Sequence, residues 1–372
     1  MSKYRVVLIL AIFLAVSQIL FGQANGNLQL HYVDVGQGDM EVLISPQGQV
    51  VLFDEGANKN CEKPLAYLQS LNIQKIDYII TSHYHEDHIG YVGDILRLYP
   101  LQSNAYDRGY SYNNDSYGNY IAAVGKNRTE ATLGTQIILD QNFANPVSIK
   151  IVTLNGNGIN AENENDLSIT ALVTFGNFQA ELGGDLSGKN SGQYKDIESS
   201  VATKVGQIEV YKVHHHGSKC SSNDKWLSIT KPKVGIISVG DGNKYKHPTK
   251  ECLDRLHKSR VKTYWTEKGN GVLPDKENDI VDNGSIVVEV EPGSNNFTVK
   301  TNNRIETYTD WENTSTGTTS GTVENPKFSW SKESDIYHYS DCKRVRKINS
   351  EFLKTGTTRP SGKKLHKGCP EK

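Results

Sequence analysis

Six consecutive residues, His83-Tyr84-His85-Glu86-Asp87-His88, crowd three imidazoles and two carboxylates behind the apolar run Ile76 to Ile80. The run reads as a buried strand, and the stretch from His88 to Leu98 reads as a helix opening behind it. Side chains two apart on an extended segment leave on the same side, so His83 and His85 share a face. Asp87 and His88 fall at the turn into the helix. One rigid elbow can therefore aim four donors into one cavity, and imidazole with carboxylate suits Zn²⁺, Mn²⁺ or Fe²⁺.

Two later stretches offer further donors. Gly183-Gly184-Asp185 sets one acid among glycines, and His214-His215-His216-Gly217-Ser218 supplies three imidazoles. Each follows a predicted strand, which is where α/β sites usually sit. The rest of the chain alternates short β-branched runs with helical patterns, implying sheets flanked by helices. Hairpin strands are expected at 28–35, 40–44 and 49–53, and a helix at 61–71. Residues 101–130 lack periodicity and are rich in tyrosine over 103–120, so they read as a long insertion loop.

The six-residue cluster is the HxHxDH motif, and the run from Leu28 to about Lys300 resembles the metallo-β-lactamase-fold hydrolase domain of ComEC/Rec2-type competence proteins. His31 to Asp39, Tyr211 to Lys219 and Gly240 to Pro248 resemble three further motifs of that branch, in the expected order. The resemblance implies a four-layer αββα sandwich. It implies that His83 and His85 hold a first metal and Asp87 and His88 a second. Asp185 would bridge them, and His215 or His216 would complete the second site while the other faces substrate. His247, with Lys246 and Asn243, would meet charge on a phosphoryl group, although His247 ahead of Pro248 also suits a helix start. The main site would take one or two Zn²⁺ or Mn²⁺ ions. Many members place another histidine before the bridging acid, yet residues 89–184 contain none. The Gly36 to Gly38 turn lacks the third glycine of a phosphate loop and reads as a tight hairpin, with Asp34 and Asp39 orienting histidines from behind.

The ends differ from the middle. Lys3 and Arg5 precede an apolar stretch from Val6 to Leu20, with Gly22 and Ala24 at a small-residue cut, the layout of a signal peptide over 1–24. Secretion or periplasmic export follows, with retention as a membrane anchor as the alternative. The hydrolase domain is expected over 25–305, a Ser/Thr/Gly linker over 306–326 and a small module over 327–372. Residues 25–326 hold 27 Lys/Arg against 37 Asp/Glu, a net of −10, whereas 327–372 hold 12 against 5, a net of +7. A segment this small needs a staple. His338, Cys342, His366 and Cys369 suit a structural Zn²⁺ and resemble a small zinc-binding module appended to nucleases, while a Cys342–Cys369 disulfide is the alternative.

The leading expectation is an exported metal-dependent phosphodiesterase, most readily a nuclease on DNA. A small-molecule hydrolase acting on a phosphocholine-type diester, lactone or lactam is a second reading, and a non-catalytic surface-binding protein a third. An open groove beside residues 103–120 favours a polymer, and a lidded pocket favours a small ester.

Overall fold

The computed structural model describes residues 24–56 and 62–311, together with the backbone of strands at 328–331, 336–339, 353–356 and 364–365. Residues 1–23 of the expected signal peptide, Cys61, the stretch 312–326 and the side chains of His338, Cys342, His366 and Cys369 lie outside the described residues. Among the described residues no helix is long and apolar enough to cross a membrane.

Two sheets carry the first unit. One contains β1 (Leu28–Tyr32), β2 (Glu41–Ile44), β3 (Val50–Phe53), β4 (Tyr78–Ile80), β5 (Ala105–Asp107) and β6 (Arg128–Glu130) in that spatial order. The other contains β7 (Gln136–Leu139), β8 (Val147–Thr153), β9 (Thr170–Phe175), β10 (Phe178–Gly183), β11 (Val210–Lys212), β12 (Val234–Ile237), β13 (Lys262–Trp265) and β14 (Asp279–Val281), also in order. The chain then returns to extend the first sheet beyond β1 with β15 (Ile286–Val290), β16 (Asn296–Lys300) and β17 (Ile305–Thr309).

Strand periodicity builds the layers. Along β2 and β3, Leu43, Val51 and Phe53 enter the core between the sheets, whereas Val42, Ile44, Val50 and Leu52 pack on the outer helices. Those helices are α1 (Lys63–Ser70), the short α2 (Glu86–Ile89), α3 (Val92–Leu98) and α4 (Asp115–Val124). Across the molecule, α5 (Glu198–Val205), α6 (Asp224–Thr230) and α7 (Lys250–Lys258) cover the second sheet, with Trp226, Leu253 and Leu256 against Tyr211 and Ile237. The layers run helix, sheet, sheet, helix, as expected. The central strands β2 to β4 and β12 are buried on both faces and read as nearly continuous apolar runs, whereas β8, β16 and β17 alternate polar and apolar residues. Each fully buried aliphatic side chain contributes about 1.5–3 kcal/mol.

Several expectations need correction. Residues 101–130 are not a loop: they form β5, α4 and β6. The tyrosines that obscured the pattern are packing residues, with Tyr120 fully buried and Tyr84 and Tyr117 rings 4.6 Å apart. The helix expected from His88 to Leu98 is broken at Gly90-Tyr91 into α2 and α3. Helix α5 was not anticipated. Residues 306–309 of the expected linker are strand instead, because the β-prone Ile-Glu-Thr-Tyr-Thr of β17 pairs with β16. The Trp311 indole N–H then donates to the carbonyls of Ile208 at 3.1 Å and Lys231 at 3.0 Å.

The chain divides after Trp311 into two compact units. The second contains a four-stranded sheet in which β18 (Phe328–Ser331) lies between β19 (Ile336–Tyr339) and β20 (Leu353–Gly356), and β21 (Lys364–Leu365) pairs with β19.

Candidate metal centre

The carboxyl ends of β3, β4, β10, β11 and β12 meet at one edge of the sandwich. The loop after β4 carries His83 to His88, the loop after β10 carries Asp185, and the turn after β11 carries His214 to His216. Two donor groups form there. His83, His85 and Asp185 make one, and His88, His216, Asp39 and Asp185 the other, with the ligand atoms of each group within 4.8 Å of one another.

Asp185 belongs to both groups through different oxygens. Its Oδ1 lies 3.5 Å from His88 Nε2 and 3.7 Å from His216 Nε2. Its Oδ2 lies 4.0 Å from His83 Nε2 and 3.6 Å from His215 Nε2. Asp87, at the rim, places Oδ2 3.5 Å from His216 Nε2 and Oδ1 4.0 Å from His88 Nε2.

Neighbouring loops aim these groups. Asp54, buried at the end of β3, accepts from Ser82 N and Ser82 Oγ, both at 2.6 Å, and meets His88 Nδ1 at 2.7 Å. Asp39 lies 3.2 Å from His216 Nδ1, whose other neighbour is the Ser238 carbonyl at 2.9 Å. The Asp87 carbonyl accepts from Asp39 N at 3.0 Å, and the His88 carbonyl from Glu55 N at 2.8 Å. That close passage explains Gly56, where a Cβ would stand 1.9 Å from the Asp87 carbonyl oxygen. Gly184 is small for a related reason: a Cβ there would strike Ser82 Oγ at 2.5 Å. The glycines before Asp185 thus admit a neighbouring side chain rather than an ion.

The three adjacent histidines have three fates. His214 turns inward between Glu198 Oε1 at 2.8 Å and Glu181 Oε1 at 3.0 Å, and belongs to the fold. His216 is buried with Nε2 facing Asp87 and Asp185 and without a hydrogen-bond partner. His215 is more open, and its ring meets Tyr194 at 6.0 Å and His247 at 5.5 Å across the cavity. His247 also lines this cavity, with its ring 6.3 Å from that of His216. Lys246 lines it too. Asn243 departs from expectation, because its amide is spent on its own loop: Nδ2 donates to the Gly240 and His247 carbonyls and Oδ1 accepts from His247 N.

The buried atoms fit divalent ions. His88 Nε2, His216 Nε2 and Asp185 Oδ1 converge without hydrogen-bond partners. Burial disfavours charge on His88 and His216. The carboxylates of Asp185 and Asp54 nevertheless hold the His88 pKa well above the usual imidazole value. Asp39 and Asp185 likewise raise that of His216 to about 10. The carboxylate cluster therefore demands positive charge, which a cation would supply. His83 behaves oppositely, since burial and the neighbouring His88 and His85 push its pKa well below the ordinary value. Burial, His216 and His215 lower His247 to about 3, so it is a neutral imidazole at neutral pH.

Sequence comparison agrees with this architecture. The Metallo-beta-lactamase superfamily is matched across residues 42–177, from β2 to the turn after β9. The chain carries a metallo-β-lactamase domain. Over 253 residues, 66% of the chain, it is 31% identical to "Recombination protein 2" of Haemophilus influenzae, covering 29% of that protein. Over 262 residues, again 66% of the chain, it is 21% identical to "ComE operon protein 3" of Bacillus subtilis, covering 32% of it. The chain thus spans less than a third of the length of these curated relatives. Among solved structures it is similar to the metallo-beta-lactamase fold protein YhfI of Bacillus subtilis, with 13% identity, TM-score 0.42, and coverage of 70% of this chain and 99% of that one. The superfamily consists generally of metal-dependent hydrolases, and the metallo-β-lactamase domain here has a donor cluster of matching chemistry.

Sequence reasoning missed the supports of this domain: Asp54, Ser82, Lys212, Glu181 and Glu198. Asp54 follows a strand, as the ligands do, and that position was its one legible signal. Glu181 and Lys212 stand inside strands, where nothing in the pattern marks a polar contact.

Proposed function

We propose that the protein is an exported metal-dependent phosphodiesterase whose substrate is nucleic acid, most readily DNA. The observation that carries this reading is the lining of the central cavity, of about 870 Å³, where Lys219 and Lys246 stand around the buried donors Asp87, Asp185 and His215, with Glu86 and Glu251 also on the wall and Lys250 paired with Asp254 at 2.7 Å. Two lysines beside a donor cluster, on a body with net charge −10 over residues 25–326, suit a phosphate diester better than a neutral lactone or lactam. The similarity to competence proteins supports the same substrate class.

In this reading His83, His85 and Asp185 hold one Zn²⁺ or Mn²⁺, and Asp87, His88, Asp185 and His216 hold the other, with Asp39 behind them. Such ions lower the pKa of water and neutralise charge on a phosphoryl group. Asp87 orients the attacking water and accepts its proton. His247, being neutral, donates one N–H to a non-bridging oxygen, and His215 faces the same group from the opposite wall. The lysines hold the flanking phosphates. The products are a phosphate monoester and a free hydroxyl.

The basic module at 327–372 serves as a nucleic-acid anchor, stapled by zinc on His338, Cys342, His366 and Cys369. Its test is zinc content before and after Cys342→Ser with Cys369→Ser, together with the salt dependence of DNA affinity. The main reading is tested by assaying the mature chain on DNA, RNA, a bis-aryl phosphodiester and a chromogenic lactam, with Zn²⁺ and Mn²⁺ compared. Turnover of the lactam alone overturns it.

A further inference from the structure

The metal-side cavity is flanked by two more, of about 640 Å³ and 540 Å³. The central one shares His85, Asn163 and Gln193 with the first flank, and Glu86, Asp87 and Tyr245 with the second. The two flanks have no lining residue in common.

Sheet order places them on opposite sides. The first flank is walled by Arg108, Tyr110, Ser111 and Tyr112, after β5, and by residues between β8 and β9. The second is walled by Val35 to Gln37, after β1, and by Asn243 to Tyr245, after β12. The donors lie between them on both sheets, on the loop after β4 and on those after β10 and β11. The three cavities therefore form a trough that crosses the metal centre and continues on either side. Each flank alone has the size of a small-ligand site, so a compact ester would leave both unfilled.

Each flank also holds an exposed aromatic ring. Tyr110 in the first is 66% exposed and Tyr245 in the second 53%, and they are the only aromatics among the strongly exposed large hydrophobic side chains described. Exposed rings on both sides of a cleavage site are platforms for base stacking. A duplex already has its bases stacked on each other, whereas a single strand can turn them onto protein rings.

The flanks differ in charge. Lys244, with Nζ 5.1 Å from the Tyr245 ring centre, adds a cation to the second. In the first, Arg108 is neutralised by Glu164, with Nε to Oε1 2.8 Å and a second contact of 2.6 Å. The Tyr245 side thus offers one lysine with no carboxylate among the described residues bonded to it, though Glu86 and Asp87 share its wall, and the Tyr110 side relies on stacking and on amides such as Asn163.

Resting on the phosphodiester reading, we infer that the trough holds a single-stranded polynucleotide with nucleotides bound on both sides of the scissile phosphate, so that the enzyme cuts internally. Water oxygen bonds to phosphorus, the bond to one ester oxygen breaks, and that oxygen leaves with a proton as a hydroxyl.

The experiment uses the full chain on closed circular single strands of DNA and of RNA, a closed circular duplex, linear strands and a bis-aryl phosphodiester. Single-stranded circles are expected to be opened at least about tenfold faster than the duplex circle, and the two circles tell deoxyribose from ribose preference. Tyr110→Ala and Tyr245→Ala should each raise KM for the circle by about tenfold, the loss of one stacked base, while Tyr245→Phe restores it. Lys244→Ala should raise KM for the circle and make it less dependent on salt, because one phosphate contact fewer releases fewer counterions. If the aryl diester and linear strands are hydrolysed but circles stay closed, internal cutting is overturned and the phosphodiester reading stands. If neither the diester nor any nucleic acid is hydrolysed, that reading falls and the trough assignment with it. Unchanged KM in both alanine variants overturns the stacking platforms.

Discussion

Lys212 and Asp39 form a fully buried ion pair that ties the two sheets together beneath the donor cluster, with Nζ 2.6 Å from Oδ2 and neither side chain exposed. Lys212 ends β11 of the second sheet, and Asp39 sits in the turn joining β1 to β2 of the first. Burial works against both charges. Asp39 and Glu41 keep the Lys212 pKa above its usual value, and Lys212 and His216 hold Asp39 well below the carboxylate range. Because Asp39 also faces His216 Nδ1 at 3.2 Å, the pair both joins the layers and aims a candidate ligand.

Removing one partner should be costly. Lys212→Met leaves buried Asp39 with the His216 imidazole as its remaining close cation, and urea unfolding without added metal should show a loss of about 3 kcal/mol. A loss under about 1 kcal/mol would mean that His216 alone compensates the Asp39 charge.

Asp87→Ala should lower the rate on an aryl phosphodiester by about 100-fold or more, since a positioned proton acceptor is worth that much. Elemental analysis of the same sample should show less metal. Near-wild-type rate with full metal content would remove Asp87 from the site.

His215 and His216 should separate in paired assays. His216 has its free Nε2 within 3.7 Å of both Asp87 and Asp185, so His216→Ala should lose metal. His215 faces the cavity, so His215→Ala should keep metal and lose turnover. Equal metal loss in the two variants contradicts this division.

Glu209 makes a pH prediction remote from the metal centre. Burial raises its pKa to about 7, although Trp311 N and Gln179 N donate to it, and the nearby Asp310 adds to the rise. The folded protein therefore keeps a proton that the unfolded chain releases near its ordinary value. The stabilisation is fully present below about pH 4.5 and is lost as pH rises through about 7, on the order of 2 kcal/mol. Glu209→Gln should flatten the fall in urea midpoint between those limits. Parallel curves for the two proteins would show that Glu209 titrates normally.

Much was legible before any coordinates. Donor residues directly after apolar runs located His83, His85, Asp87, His88, Asp185 and the histidine triplet, because a strand end is where a chain can turn side chains into a cleft. Short β-branched runs alternating with helical patterns announced sheets flanked by helices. Local pattern failed at 101–130, where tyrosines that pack on Tyr84 through α4 looked like loop composition. It failed again at α5, whose Glu198 serves a histidine 16 residues later.

The sequence by itself determined which donors exist and that strands would present them, since both follow from local periodicity. Only the tertiary structure decided which way each histidine of the triplet points: Glu181 and Glu198 capture His214, Asp39 and Ser238 hold His216, and His215 is left facing the cavity. Those partners come from distant strands and loops, and adjacent residues with the same side chain carry no local signal of which neighbour will claim them. The sharing of Asp185 between two donor groups has the same origin, because it requires both sheets to bring their strand ends within 4 Å of one carboxylate.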